Sequence, residues 1–216
     1  MRFRRTGEAT VVEYVLLVLL SFLVGMFMSR VVVLECSKAS LSVCNERLIA
    51  QEELIVGLLA ELDTTKTESV MNTRDRIIQL QPKLDPSIAY KIAVSIEANC
   101  EKYNIPSSLV IHLISRESSF NVFSKSSKEC MGLMQVRFPV HRKMLKEMGI
   151  SSVYSLYHID NNINAGCRIL SNKLSKSKSI SGALQKYVGA KNKKTKQYAN
   201  DILGMMREYK TSGGGA

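Results

Sequence analysis

Apolar positions along the chain fall into three patterns. From Val11 to Leu34 they form a near-continuous run, interrupted by Glu13, Tyr14, Ser21, Gly25, Ser29 and Arg30. Wound as a helix from Val12 to Leu34, the run spans roughly 34 Å at about 1.5 Å per residue, enough for a bilayer core of roughly 30 Å. Between 37 and 62, Leu41, Cys44, Leu48, Ile55, Leu58, Leu59 and Leu62 recur at helical spacing and predict a second helix. Asp63-Thr-Thr-Lys-Thr-Glu-Ser reads as a polar break, with a short helix after it near 71–81. The third pattern starts at Asp85-Pro86, an N-cap followed by proline at the first helical position. Ile88, Ile92, Ile96, Cys100 and Tyr103 then trace one stripe, and Asn104-Ile-Pro106 ends it. Further helices are expected at about 107–118, 139–148, 160–175, 179–188 and 194–209. No alternating strand pattern appears, so the fold is expected to be mostly α.

These patterns divide the chain into a cytoplasmic tip and transmembrane anchor (1–34), a helical stalk (35–84), a helical domain (85–210) and a flexible tail (211–216). Arg2, Arg4 and Arg5 precede the apolar run, which places the N-terminus inside and the rest outside. A cleaved signal peptide is the competing reading, but the run is long for one and no small-x-small site follows it. Glu35 stands where a lipoprotein reading of Cys36 needs a small residue.

Composition adds a location for the charge. Net charge is +11, and from Pro86 onward 20 Lys and Arg stand against 8 Asp and Glu, whereas residues 1–85 hold 10 against 11. The basic part therefore suits a polyanionic partner such as nucleic acid, an anionic membrane face or a bacterial envelope. Lys191, Lys193, Lys194 and Lys196 form its densest cluster, readable either as a solvated loop or as an anion contact. No nucleic-acid-binding motif accompanies it, so no nucleic-acid partner is expected. The five cysteines, at 36, 44, 100, 130 and 167, show no metal-ligand spacing. Cys100 and Cys167 lie on apolar stripes and read as buried free thiols. Cys36 and Cys44 are close enough in sequence to pair in an oxidising compartment. No cofactor or metal is expected.

The candidate chemistry centres on Glu117. Val110, Leu113 and Ile114 precede it by seven, four and three residues and share its helix face. A carboxyl on that apolar stripe, near a helix C-terminus, is pushed towards its protonated form by desolvation and by the helix dipole. Such a group can donate a proton to a glycosidic oxygen. Periodicity alone favours the plainer alternative, a Glu at a frayed helix end that reaches solvent.

The surrounding residues alter that balance. Arg116-Glu-Ser-Ser-Phe120, then Met131-Gly-Leu-Met-Gln-Val136, resembles the Slt-type lytic transglycosylases, which have a lysozyme-like fold. Asn161-Asn-Ile-Asn-Ala-Gly-Cys-Arg-Ile-Leu170 resembles that family's N-I-x-x-G-x-x-x-L helix, with Asn162, Ile163, Gly166 and Leu170 in place. Gly182-Ala-Leu-Gln-Lys-Tyr-Val-Gly189 resembles its A-x-x-x-Y-N-x-G motif, with Ala183 and Tyr187 in place but Val188 where the family has Asn. The resemblance covers about 88–203. It implies that Glu117 is the catalytic acid and that Ser126, Met134, Gln135 and Tyr187 line the substrate groove around it. It also implies a reaction on peptidoglycan glycan strands. One carboxylate would cleave the MurNAc–GlcNAc bond without water and leave 1,6-anhydro ends. A hydrolytic muramidase of the same fold and a non-catalytic glycan-binding scaffold remain as alternatives. Glu129, Asp160 and Asp201 are the candidates for a second carboxylate, and none lies in a matching motif. An anchored enzyme of this kind, at the cytoplasmic membrane with its domain outside, would suit a machine that crosses the wall. A phage entry device or virion, a secretion or conjugation apparatus, or a pilus would each fit.

Overall fold

The structure, a computed structural model, describes residues 11–33, 38–189 and 192–211. Arg2, Arg4, Arg5, Cys36, Lys191 and residues 212–216 lie outside the described residues, as does the side chain of Cys44. The described chain is mostly helical and forms two units, residues 1–65 and 66–216.

The first unit holds α1 (Val11–Val33) and the first part of α2 (Lys38–Leu80). Among the described residues no helix is long and apolar enough to cross a membrane. The expected polar break at Asp63–Ser69 is absent, because α2 runs through it unbroken. The segment contains neither Gly nor Pro, and the Thr64 and Thr65 hydroxyls donate back to Glu61 O, each at 2.8 Å. Hydroxyls satisfied in this way do not compete with the helical backbone.

In the second unit the end of α2 is fastened to two helices. Ser69 and Thr73 donate to the Glu97 carboxylate on α3 (Pro86–Tyr103), which also accepts from Ser107 at the start of α4 (Ser107–Ser118). Arg76 meets Nε2 of the buried His112 at 3.2 Å, while His112 Nδ1 lies 2.6 Å from Ser108 O. Burial first, and then the Arg76 charge, pushes the His112 pKa down; the Ser108 bond opposes this. Helix α3 begins as its sequence predicts, with Asp85 accepting from the Ser87 and Ile88 amides at 2.8 and 3.2 Å. The Ser87 hydroxyl, followed by those amides, holds the Asp85 carboxyl below its ordinary range.

The core joins α3, α4 and α6 (Ile159–Ser175). Ile92 and Ile96, then Leu109, Leu113 and Ile114, then Ile163 and Leu170 are all fully buried. Each such side chain stabilises the fold by about 2 kcal/mol relative to exposure. Helix α7 (Ile180–Val188) and α8 (Lys193–Thr211) add Leu184, Ala199 and Ile202 to the same core. Between α4 and α6 lie two short strands, β1 (Cys130–Met131) and β2 (Val136–Arg137), paired antiparallel with Met131 opposite Val136. Helix α5 (Phe138–Glu147), kinked at His141, and a 3-10 turn at Tyr154–Tyr157 complete the chain order. The strands were not expected, since two residues each are too few to show alternation.

Candidate active site

Helix α4 buries Leu109, Val110, Leu113 and Ile114 and thereby fixes the direction of its last turn, which carries Glu117. The chain then turns sharply. Ser119 and Phe120 both have positive φ, 50° and 62°, and Phe120 is buried beneath the turn. Gln81 at the end of α2 donates to Ser119 O at 3.2 Å and braces it. Glu129 and Gln135 also adopt positive φ, so four non-glycine residues in left-handed backbone follow Glu117 in sequence. Side chains resist that conformation, and such clusters persist where the surrounding structure holds them.

Glu117 faces a cleft of about 460 Å³ that Ser126, Gln135 and Tyr187 also line. Four of the five residues singled out by sequence thus meet there. The fifth, Met134, stands behind the cleft wall, fully buried against α6. A Cβ on Gly166 would come within 2.3 Å of the Met134 sulfur, so that glycine is what lets the loop approach the helix.

The Met131–Gln135 loop is held from three sides. Asn162, buried on α6, accepts from the Met134 amide at 2.8 Å and donates to Met131 O and Leu156 O at 2.8 and 2.7 Å. Gly132 has φ +72°, and a Cβ there would clash with the Asn162 amide at 2.2 Å. Tyr187 on α7 donates to Met134 O at 2.9 Å. Gln135 donates to Gly132 O and Ser124 O at 3.0 and 3.3 Å, and Ser126 Oγ accepts from the Cys130 amide at 3.1 Å. The polar groups of Gln135 and Ser126 therefore shape the loop as well as line the cleft.

Burial raises the Glu117 pKa, and the Tyr198 hydroxyl bond and the Arg116 charge partly offset it. Tyr198, on α8, donates its hydroxyl to Glu117 Oε1. Burial first, then the Glu117 charge, holds the Tyr198 and Tyr187 phenols well above their ordinary pKa, so both stay neutral donors. Sequence reasoning did not single out Tyr198. Its signal is weak: one aromatic at helical spacing from Ile202, on a helix that begins with exposed lysines.

Glu117 is the one carboxylate among the described cleft-lining residues. Glu129 is exposed on its turn. Asp160 accepts from Ser95 and Asn99 on α3, at 2.9 and 3.3 Å. Asp201 pairs with Arg116 at 3.5 Å and accepts from Gln197 at 2.7 Å. The other charged residues of the lining are basic, Lys128, Arg137, Lys173 and Lys186, and His141 lines it too. Burial, followed by the Lys173 charge, pushes the His141 pKa down. Val188, 39% exposed, stands at the cleft where the resembling family carries Asn. Cys100 and Cys167 are buried free thiols set against each other, as expected from their stripes, and Cys130 is a half-buried free thiol on the cleft wall. Lys193, Lys194 and Lys196 are exposed on the first turn of α8.

Comparison with known proteins gives a consistent picture. Residues 79–202 match the family described as Transglycosylase SLT domain. The chain is 35% identical over 98 residues to a membrane-bound lytic murein transglycosylase C of Yersinia enterocolitica, covering 44% of this chain and 27% of that protein. It is 37% identical over 98 residues to the protein of that name from Photorhabdus laumondii, covering 44% and 28%. It therefore spans about a quarter of the length of the relatives it matches.

Proposed function

The chain belongs to the transglycosylase SLT family, and from that premise we propose that it is a peptidoglycan lytic transglycosylase with Glu117 as both acid and base. The observation that carries this reading is a half-buried carboxyl, the one among the described cleft-lining residues, with its pKa raised and one oxygen held by Tyr198. Oε2 is then the oxygen that delivers the proton to the oxygen linking MurNAc to GlcNAc. As that bond breaks, the GlcNAc hydroxyl leaves with the proton and Glu117 becomes a carboxylate. The MurNAc 6-hydroxyl attacks its own C1, with the substrate N-acetyl group assisting, and returns a proton to Glu117. No water is consumed, and the product is a 1,6-anhydro end. Hydrolytic glycosidases pair two carboxyl groups across the bond, roughly 5 to 9.5 Å apart, and among the described residues the cleft lining offers no second carboxyl to Glu117. Ser126, Gln135 and Tyr187 would line the glycan groove, with Met134 supporting its wall from behind.

Mass spectrometry of the muropeptides released from purified sacculi tests the reaction. Anhydro ends are expected, and predominantly reducing ends would replace this reading with hydrolysis. Tyr198→Phe tests the acid's setting. Loss of the hydroxyl removes a bond that stabilises the carboxylate, so the Glu117 pKa should rise and activity should persist to higher pH than in the parent. The same loss leaves the carboxyl less firmly held, and the maximal rate should fall roughly ten- to a hundredfold. An unshifted basic limb of the pH–rate profile would remove Tyr198 from this role.

Location belongs to the same proposal. The apolar run of 12–34 with basic residues ahead of it would anchor the chain in the cytoplasmic membrane, N-terminus inside. Residues 35–84 would form the stalk and 85–210 the catalytic domain, placed outside. The printed name of the relatives, membrane-bound, supports an anchor. Cutting would then be confined to wall within reach of the stalk, which suits an envelope-crossing or phage-borne machine.

A further inference from the structure

Three ties join the last turns of α2 to the helix that carries Glu117, and they fall in the same order along both segments. At the start of α4, Ser107 donates to the Glu97 carboxylate at 3.0 Å, and that carboxylate also accepts from Ser69 of α2 at 2.8 Å and from Thr73. At its middle, the Arg76 guanidinium meets Nε2 of the fully buried His112 at 3.2 Å. Just past its end, Gln81 Nε2 donates to Ser119 O at 3.2 Å. Ile77 lies between the second and third ties in sequence, and its full burial seats this stretch of α2 in the core.

The third tie acts where the backbone is under most strain. Ser119 and Phe120 both adopt left-handed backbone, which a side chain resists and which persists only where its surroundings hold it. The backbone hydrogen bonds of this turn are local: the Ser119 amide donates to Ser115 O at 3.1 Å and the Asn121 amide to Ser118 O at 3.0 Å. Gln81 adds a bond from 38 positions away, to a carbonyl two residues beyond Glu117. From this arrangement we propose that residues 69–81 are a splint for the catalytic helix, with Gln81 a positioning residue that holds Glu117 at its depth in the cleft through the Ser119 carbonyl. The inference rests on the reading of Glu117 as the reacting acid. It gives the end of the stalk a part in the chemistry, since whatever loosens α2 there loosens the turn that aims the carboxyl. Positioning of this kind matters because a misplacement of about 1 Å can cost about a hundredfold in rate.

The test is Gln81→Met in the full chain, which keeps the length of the side chain and removes its donor. Burial is the largest cause raising the Glu117 pKa, so a turn that loosens should let the carboxyl meet more water and its pKa should fall towards the ordinary value. The groups that face Glu117, Tyr198 of α8, Tyr187 of α7 and Arg116 of its own helix, are unchanged by the substitution. Carbon-13 NMR titration of the Glu117 carboxyl reads this shift without turnover. On soluble, uncrosslinked glycan chains kcat should fall about fivefold with KM held within about twofold, the mark of an interaction used in the transition state. The basic limb of the pH–rate profile should move to lower pH, opposite in sign to the shift expected of Tyr198→Phe. A carboxyl titration that matches the parent's would overturn the proposal, and a lower melting temperature beside it would make Gln81 a structural tie only. A raised KM with kcat unchanged would overturn it as well. Failure of the transglycosylase reading shows separately, as absent anhydro products from the parent, and leaves the NMR result to decide the positioning.

Discussion

Glu117→Gln is expected to lower the release of anhydro-muropeptides from sacculi by three orders of magnitude or more while leaving the protein folded. Gln has nearly the shape of Glu, and its carbonyl oxygen can still accept the Tyr198 hydroxyl. What it lacks is a transferable proton. General acid–base assistance contributes about 10²- to 10⁴-fold, and in the proposed reaction one group supplies it twice, first to the leaving oxygen and then to the 6-hydroxyl. Among the described residues no second carboxyl lines the cleft to substitute for it. A rate within tenfold of the parent, measured on the same sacculi, would mean that the chemistry lies elsewhere in the molecule.

The same substitution carries a stability signature of opposite sign. The folded state raises the Glu117 pKa, chiefly by burial, so between the ordinary carboxylate value and the raised one the native protein binds more proton than the unfolded chain does. Stability from this group is complete below the ordinary value and declines as pH rises through the folded value. Glu117→Gln removes that decline. The variant should melt higher than the parent at neutral pH, and the two should converge in acid. An activity loss joined to a gain in melting temperature distinguishes removal of a functional acid from simple damage to the fold.

Much of this site was legible in the sequence because it is built from local signals. The Asp85-Pro86 start of α3 is a matter of capping chemistry, and Asp85 accepts the two amides that the pattern predicts. Glu117 shares the stripe of Leu113 and Ile114, which fixes its half-buried position. Gly132 and Gly166 lie in recognisable motifs, and both are required for close approach, one to Asn162 and one to Met134. What was not legible depends on pairings between distant elements. Tyr198 reaches Glu117 across 81 positions, and nothing local marks that hydroxyl as different from a surface one. The basic lining gathers Lys128, Arg137, Lys173 and Lys186 from a turn, a strand and two helices, so the sequence shows only their total charge. The polar stretch at 63–69 was misleading for a related reason. Its Ser69, like Thr73 beyond it, is turned to use by Glu97, on a helix that local reading cannot place beside it.

Asn162→Ala should be strongly destabilising, by about 3 to 5 kcal/mol. Asn162 is 1% exposed and satisfies three backbone groups at once: the Met134 amide and the Met131 and Leu156 carbonyls. Alanine leaves all three without that partner in a buried setting, where each unsatisfied group costs about 1 to 3 kcal/mol. In a unit of this size the loss corresponds to a fall in melting temperature of roughly 10 °C. Asn162→Asp should be worse still, since a carboxylate cannot donate to either carbonyl and would bring a buried charge. Activity should fall with stability even at temperatures where Asn162→Ala stays folded. Met134 O is the acceptor for Tyr187, and the loop that Asn162 holds also carries Gln135 and leads into Arg137. Thermal melts of the two variants, read beside their anhydro-product rates at 20 °C, separate these effects. A melting temperature for Asn162→Ala within about 2 °C of the parent would show that water replaces the amide without penalty, and that the loop is positioned by Tyr187 and Gly166 instead.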